Sequence, residues 1–134
     1  MRIVLDASVA VQGCIDAGGM ERLAVHELIV PPVFRSETIS VLHEMRHRAA
    51  ISAELGRIAL DRFASLAYEV NTPEDLWRRA WALANRLGWA KTYDAEYVVL
   101  SHHLDVPLVT LDARLARGAG RVARIIGPAD LTSP

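Results

Sequence analysis

Short apolar runs alternate with helix-compatible segments along this chain of 134 residues, and this alternation is the feature that most limits its fold. The runs lie at 3–5, 28–30, 68–70, 107–110 and 122–126. Strands that are buried on both faces have such continuous apolar runs, whereas strands with one wet face alternate apolar and polar residues. The pattern predicts an α/β fold, with a parallel sheet covered by helices on both faces. The length predicts a single domain over residues 1–134.

Helix signals separate the predicted strands. A first helix is expected after Asp6, running to about Ala17 and ended by Gly18 and Gly19. Further helices are expected at 33–47, from Ser52 to about 66, at 72–87, at 93–104 and at 113–116. The fourth of these six predicted helices has Thr72 as a candidate N-cap followed by a proline at the first helical position.

Charge and composition exclude several classes of protein. Sixteen acidic and fifteen basic residues give a formal charge of −1, which argues against binding nucleic acid by bulk positive charge alone. The single cysteine, Cys14, lies in an apolar stretch and is expected in the core rather than in a disulfide. No apolar run is long enough to span a membrane. We expect a cytoplasmic protein with no membrane contact.

Four carboxylates occupy positions where an α/β fold carries its chemistry. Asp6 directly follows the first strand, and Asp112 follows the strand at 107–110, so both are expected at the carboxyl edge of the sheet. Glu37 and Asp94 are expected near the starts of helices, where each alone has an ordinary interpretation as a solvated or dipole-complementing acid. Four converging carboxylates repel one another unless they are protonated or bind a cation. Oxygen ligands of this kind suit Mg²⁺ or Mn²⁺.

The segments around these acids resemble the motifs of the PIN-domain nucleases. Val4-Leu5-Asp6-Ala7-Ser8 is similar to the opening motif, and Pro32 followed by Glu37 is similar to the second. Tyr93-Asp94-Ala95-Glu96-Tyr97 resembles the third, and Leu108-Val109-Thr110-Leu111-Asp112 the fourth. The acids are 31, 57 and 18 residues apart, as in the VapC toxins, the small PIN-domain ribonucleases of toxin–antitoxin modules. The resemblance extends from Arg2 to about Ile126.

The resemblance implies a sheet in the order 3-2-1-4-5 and a metal-dependent endoribonuclease. Mg²⁺ or Mn²⁺ would be held mainly by Asp6, Asp94 and Asp112, with Glu37 as a direct or water-mediated ligand, and would activate water to cleave RNA phosphodiesters. The family's small hydroxyl positions, which support metal ligands or phosphate, fall on two residues, Ser8 and Thr110. The resemblance also implies a homodimer and a VapB-like antitoxin as partner.

Two alternative functions remain open from the sequence. His43-Glu44-Met45-Arg46-His47 is a literal H-E-x-x-H segment, which on a helix could place two histidines on one zinc ion of a metallopeptidase. Arg46 lies between the histidines, and nothing marks a third ligand. The other alternative is a catalytically inactive PIN-like binding module, against which the complete set of acids argues.

Two further features have no assigned role. Trp77 and Trp81 are one turn apart beside the apolar stripe of their helix. Partial packing into the core is the first expectation, and a dimer or partner surface or the stacking of RNA bases are the alternatives. His102 and His103 lie where the PIN family more often has small apolar residues, which makes that helix more polar than the resemblance implies.

Overall fold

A five-stranded parallel sheet forms the centre of the computed structural model, which describes residues 1–131. The strand order is β3-β2-β1-β4-β5, which confirms the predicted α/β fold and the 3-2-1-4-5 sheet. The strands are β1 (Arg2–Leu5), β2 (Glu27–Val30), β3 (Glu69–Val70), β4 (Leu108–Val109) and β5 (Ile125–Ile126). The strand order reverses between β1 and β4, and open α/β sheets usually bind their ligands at such a switch point.

Seven helices cover the sheet in the described part of the chain. They are α1 (Ala7–Ile15), α2 (Gly19–Ala24), α3 (Phe34–His47), α4 (Ala53–Ser65), α5 (Leu76–Leu87), α6 (Tyr93–Leu104) and α7 (Ala113–Ala119). One packed group contains α1, α3 and α4, and α5 packs on α6. Within residues 1–131, none of these helices has the length and apolar character that a membrane crossing requires.

The core fixes the helices that carry the candidate acids. The β-branched and leucine side chains of β1, β2 and β4 have essentially no exposed surface, as the continuous apolar runs predict. At the start of α3, Phe34 is fully buried and packs against Phe63 and Tyr68, with ring centroids 5.7 and 5.0 Å away. Because Glu37 follows Phe34 by one turn, this aromatic cluster fixes where Glu37 emerges. Cys14 is buried as predicted, and burial raises the pKa of its thiol to about 11.

The glycine pair at 18 and 19 separates two helices, whereas the sequence predicted only one helix before it. The first helix ends at Ile15, two residues earlier than predicted, and α2, which the sequence analysis did not predict, begins at Gly19 itself. Gly18 has a left-handed φ of 74°, whereas Gly19 lies against Gly13, whose backbone a Cβ on Gly19 would strike. The second glycine therefore permits a close helix contact instead of terminating a helix.

Four other elements have bounds that differ from the predicted ones. Thr72 does not cap α5, which begins at Leu76 after Asp75 in a left-handed conformation, and Pro73 belongs to the preceding turn. β5 has only two residues, because the amides of Val122 and Ala123 bond back to the carbonyl of Ala119 in a turn. α7 is longer than predicted and reaches Ala119, and β4 is shorter.

Candidate active site

Asp6 is fixed at the carboxyl edge of the sheet by the strand beside it. Its amide donates to the carbonyl of Val109 at 3.0 Å, so the ends of β1 and β4 lie side by side. The hydroxyls of Ser8 and Thr110 both donate to Oδ2 of Asp6, at 2.6 and 2.7 Å. Asp6 is only 5% exposed, and these charge-assisted hydrogen bonds offset the cost of burying its carboxylate. Within residues 1–131, Oδ1 is left as the oxygen open to a further ligand.

The same two hydroxyls connect Asp6 to the segment that carries Asp112. Ser8 Oγ accepts from the amide of Leu111 at 3.2 Å, and Thr110 Oγ1 accepts from the amide of Asp112 at 3.0 Å. Each hydroxyl thus donates to a carboxylate and accepts from the neighbouring backbone. Ser8 and Thr110 therefore have the geometry of supporting residues, the role that the resemblance implies for them.

Asp112 is the N-cap of α7. Its Oδ1 accepts from the amides of Arg114 and Leu115 at 2.9 and 3.2 Å, which is the usual way for an aspartate to satisfy the first turn of a helix. Its Oδ2 faces the guanidinium of Arg114, 3.9 Å away. The capping bonds fix one oxygen and leave the other beside Arg114.

Glu37 reaches the site from α3 and is held by a tyrosine of α6. The hydroxyl of Tyr97 donates to Oε1 of Glu37 at 2.8 Å, and Tyr97 itself is fully buried. Burial raises the pKa of Glu37 above its usual range, and the charges of Asp6, Asp94 and Glu96 add to this rise, while the hydrogen bond from Tyr97 opposes it.

Asp94 lies in the first turn of α6, between the other acids and two basic side chains. Burial raises the pKa of this carboxyl, and so do the negative charges of Asp6 and Asp112, against the opposing effect of Arg114 and Lys91. Nη2 of Arg114 is 3.5 Å from Oδ2 of Asp94. The structure therefore brings the four predicted acids close enough that the charge of Asp6 acts on both Glu37 and Asp94, and the charge of Asp112 acts on Asp94.

A cleft of about 700 Å³ opens on this cluster. Two of the acids, Glu37 and Asp94, line it together with a basic and aromatic rim, whose members are Trp89, Lys91, Tyr93 and Arg114. Sequence reasoning did not assign Trp89 or Arg114 to the site. The site role of Arg114 could have been inferred, because it comes two residues after Asp112 at the start of a predicted helix. Trp89 lies in an irregular segment, where no periodicity of the sequence indicates which way its side chain faces.

The acids lie around a shared space without closing on a single point. In residues 1–131, no three acidic, histidine or cysteine side chains are close enough together to enclose a metal ion by themselves. Arg114 lies between Asp94 and Asp112, and its positive charge offsets part of theirs. The donors are carboxylate oxygens, which suit a hard divalent cation that keeps several of its waters.

The H-E-x-x-H segment does not form a site. His43, Glu44 and His47 are all exposed on α3, and in the described chain no third protein ligand joins the two histidines. Spacing along a helix places two ligands on one face, but a zinc centre needs a third from another element. The zinc peptidase alternative is therefore not supported.

Partial core packing is the wrong expectation for two of the three tryptophans. Trp77 and Trp81 are 81% and 67% exposed, because the buried stripe of α5 consists of Leu76, Ala80, Leu83 and Ala84. Only Trp89 packs against the core. The pair on α5 is thus an exposed aromatic surface.

Comparison with known proteins identifies the family. A PIN-domain family model matches residues 3–121. The chain is 36% identical to ribonuclease VapC9 of Mycobacterium tuberculosis, covering 85% of this chain and 88% of that protein. It is 33% identical to ribonuclease VapC12 of the same organism, covering 92% and 96%.

Solved structures share the fold at low sequence identity. PAE2754 of Pyrobaculum aerophilum superposes with a TM-score of 0.75 at 20% identity, covering 98% of this chain and 95% of that one. VapBC2 of Rickettsia felis, bound to a DNA fragment from its promoter, gives 0.66 at 13% identity, with 95% and 98% covered. The strand order, the sequence motifs and these relatives agree: the chain belongs to the PIN-domain family, and within it to the VapC type.

Proposed function

We propose that this protein is a metal-dependent endoribonuclease that acts as the toxin of a VapBC-type toxin–antitoxin pair. The observation that carries the proposal is the meeting of Asp6, Glu37, Asp94 and Asp112 at one edge of the sheet, where burial and mutual repulsion raise the pKa of Glu37 and of Asp94. The relatives named as VapC ribonucleases support the reaction class. We also propose that the protein acts in the cytoplasm, where it would meet its RNA substrate. Residues 1–134 would form one domain.

Mg²⁺ or Mn²⁺ fits the donor set of this cluster. Asp6, Asp94 and Asp112 would hold the ion, and Glu37 would contact it directly or through water. Mg²⁺ usually binds through one or two carboxylates, its own waters and substrate phosphates, so a cluster wider than a closed cage is suitable. When bound, the ion supplies a Lewis acid for the phosphoryl oxygens and lowers the pKa of a coordinated water.

The side chains of the cleft have separate tasks in this reaction. Ser8 and Thr110 hold Oδ2 of Asp6 and so orient its other oxygen. Tyr97 occupies Oε1 of Glu37, which leaves Oε2 to take the proton of the attacking water, a task that the raised pKa of Glu37 favours. Arg114, exposed at the rim and close to Asp94 and Asp112, is suited to pair with the phosphate that is cut.

We further propose two protein partners. A VapB-like antitoxin is supported by the Rickettsia felis neighbour, which is a VapBC2 structure. A second copy of the chain is supported by the exposed aromatic pair of α5, since tryptophan is enriched at interface centres. The charge of the chain also agrees with an RNA substrate. When the four clustered acids are set aside, the chain has fifteen basic residues and only twelve acidic ones.

Expression in a bacterial host tests the toxin function. The wild-type chain is expected to arrest growth and to produce new RNA 5′ ends, and coexpression of the small protein encoded beside it is expected to relieve the arrest. Asp6→Ala is expected to be harmless at the same protein level. Asp61→Ala on the exposed side of α4 removes the same charge and should still arrest growth.

Arrest by Asp6→Ala as strong as by the wild type would contradict the proposal. A wild-type chain that is folded and abundant but harmless, with intact RNA, would instead favour the inactive binding module.

A further inference from the structure

A second concave surface, separate from the acidic cleft, lies between α5, α6 and the turn that follows α7. It has a volume of about 470 Å³, and its polar lining is basic: Arg79 and Arg86 of α5, His102 of α6, and Arg121. Its remaining lining is aliphatic, from Ala82, Leu83, Val99 and Val122, and no acidic residue takes part. We call this surface the basic groove.

The arginines of the basic groove have no acidic partner in residues 1–131. The salt bridges of the described chain use Arg2, Arg57 and Arg114. Arg79 instead donates to Nδ1 of His103 at 3.3 Å, a bond that needs this nitrogen unprotonated. Three guanidinium groups that line one concavity without a carboxylate form a site of uncompensated positive charge, which attracts anions.

The helices that line or adjoin the basic groove, α5, α6 and α7, also carry or adjoin residues of the acidic cleft. α7 follows its N-cap Asp112 and carries Arg114 in its first turn, and Arg121 comes just after its other end. α6 carries Asp94 in its first turn and His102 about two turns later. α5 ends at Leu87, next to Gly88 of the cleft, and Arg86 precedes this end directly. The rise of α7 over its seven residues is about 10 Å, so one short helix separates Arg121 from Asp112 and Arg114.

We propose that the basic groove binds the phosphate backbone of the RNA strand on one side of the bond that is cut. This inference rests on the proposed ribonuclease function and adds a binding site to it. Arginine pairs with phosphate oxygens through its planar fork, and single-stranded nucleic acids are held by positive grooves that follow the backbone. His102 lines the groove and His103 accepts from Arg79, so both histidines lie beside this track.

Salt-dependent RNA binding tests the groove without requiring cleavage. Arg79→Gln, Arg86→Gln and Arg121→Gln are combined in an Asp112→Asn background that stops cleavage. Fluorescence anisotropy with a labelled 12-nucleotide single strand, in EDTA, gives the Kd at several salt concentrations. The slope of log K against log salt is negative, and each lost phosphate contact reduces its magnitude by about 0.7. The triple substitution should therefore reduce the magnitude of the slope by about 2. Affinity near physiological salt should fall by about tenfold or more.

A matched control separates the groove from general charge. Arg2→Gln, Arg48→Gln and Arg57→Gln remove the same three charges from exposed positions on other elements, and should leave the slope unchanged. Equal slopes for the groove variant and this control would overturn the proposal, provided that circular dichroism shows both to be folded.

Cleavage assays of the triple arginine variant with Asp112 unchanged distinguish the groove proposal from the ribonuclease proposal. The groove variant should cut a four-nucleotide RNA as fast as the unaltered chain does and a long RNA more slowly at low substrate concentration. Equal loss on both lengths would overturn the groove assignment in favour of a damaged active site. A chain that shows the slope change but cuts no RNA with any divalent metal would overturn the ribonuclease proposal and leave the binding site standing.

Discussion

At the scale of single residues, Thr110 connects the two strands that carry Asp6 and Asp112. Its hydroxyl donates to Asp6 and accepts from the amide of Asp112, so Thr110→Val leaves two buried polar groups each short of a partner. We expect a loss of about 1–3 kcal/mol in the free energy of unfolding. We also expect a 10- to 100-fold rise in the Mn²⁺ concentration needed for half-maximal cleavage, since residues that orient metal ligands have effects of this size.

The conservative variant Thr110→Ser keeps the hydroxyl and is the control for this prediction. Metal titrations of RNA cleavage should place it near the wild type. If the serine and valine variants need the same raised metal concentration, the hydrogen bond is not what matters at this position.

Asp94 predicts a pH dependence of stability. Because burial and the charges of Asp6 and Asp112 raise its pKa in the folded chain, ionisation of this carboxyl costs folding free energy. The cost is absent below the unfolded pKa, about 4, and grows as the pH rises through the folded pKa. In EDTA, Asp94→Asn should therefore be more stable than the wild type at pH 7.

Thermal unfolding with and without metal measures this effect. The advantage of Asp94→Asn should vanish at about pH 3, below the unfolded pKa of about 4. Mn²⁺ should raise the Tm of the wild type more than that of the variant. An advantage that is the same at both pH values would show that repulsion among the acids is not its source.

The positions of the four acids were predictable at this scale because each comes soon after a strand or lies in the first turn of a helix. Their partners were less so. Tyr97 meets Glu37 across 60 positions of sequence, and Arg114 reaches Asp94 through a flexible exposed side chain. Contacts of these kinds depend on how helices dock, which local pattern does not encode.

At the scale of elements, the contact between α1 and α2 depends on two glycines. A Cβ on Gly19 would strike the backbone of Gly13, which cannot yield as a side chain can, so Gly19→Ala should destabilise the fold by about 1–3 kcal/mol. Gly56→Ala is the matched control inside α4, where the nearest atom is Cγ of the flexible Arg46 at 3.2 Å. There the better helix propensity of alanine should leave stability unchanged or raise it by up to about 1 kcal/mol.

Urea denaturation of both variants measures this difference. Equal destabilisation by the two substitutions would show that the close contact of α1 and α2 is not tight enough to exclude a methyl group.

The strands and long helices were predictable from sequence because burial imposes a clear period or a continuous apolar run on them. α2 was not, since six residues are too few to show helical periodicity. The start of α5 was misplaced for another reason. Thr72 and Pro73 suit a helix start, but Asp75 adopts a left-handed φ of 56° that separates their turn from the helix. Turn chemistry resembles helix-start chemistry, and tertiary packing decides between them.

At the scale of the whole molecule, the exposed aromatic pair of α5 predicts association. Trp77→Ser with Trp81→Ser removes little buried surface from the single chain, so its free energy of unfolding should change by no more than about 0.5 kcal/mol. We expect the wild type to sediment as a dimer and the double variant as a monomer. A double variant that remains dimeric would place the dimer surface elsewhere on the molecule.

The net charge of −1 conceals a division of charge over the molecule. Acidic groups gather at the ends of β1 and β4, while arginines without an acidic partner in residues 1–131 line the basic groove. Such a division suits a protein that holds a polyanion over part of its surface and concentrates a divalent cation at one point. The whole-chain sum, which first argued against nucleic acid, does not report this separation.

Metal-dependent cleavage of a defined RNA by purified wild type and Asp6→Asn tests the central claim most directly. The asparagine keeps the volume of the buried side chain but removes the charge that a cation needs. We expect cleavage by the wild type with Mg²⁺ or Mn²⁺, none in EDTA, and a rate at least about 100-fold lower for a folded Asp6→Asn. Cleavage by the wild type in EDTA, or an Asp6→Asn rate equal to that of the wild type, would contradict it.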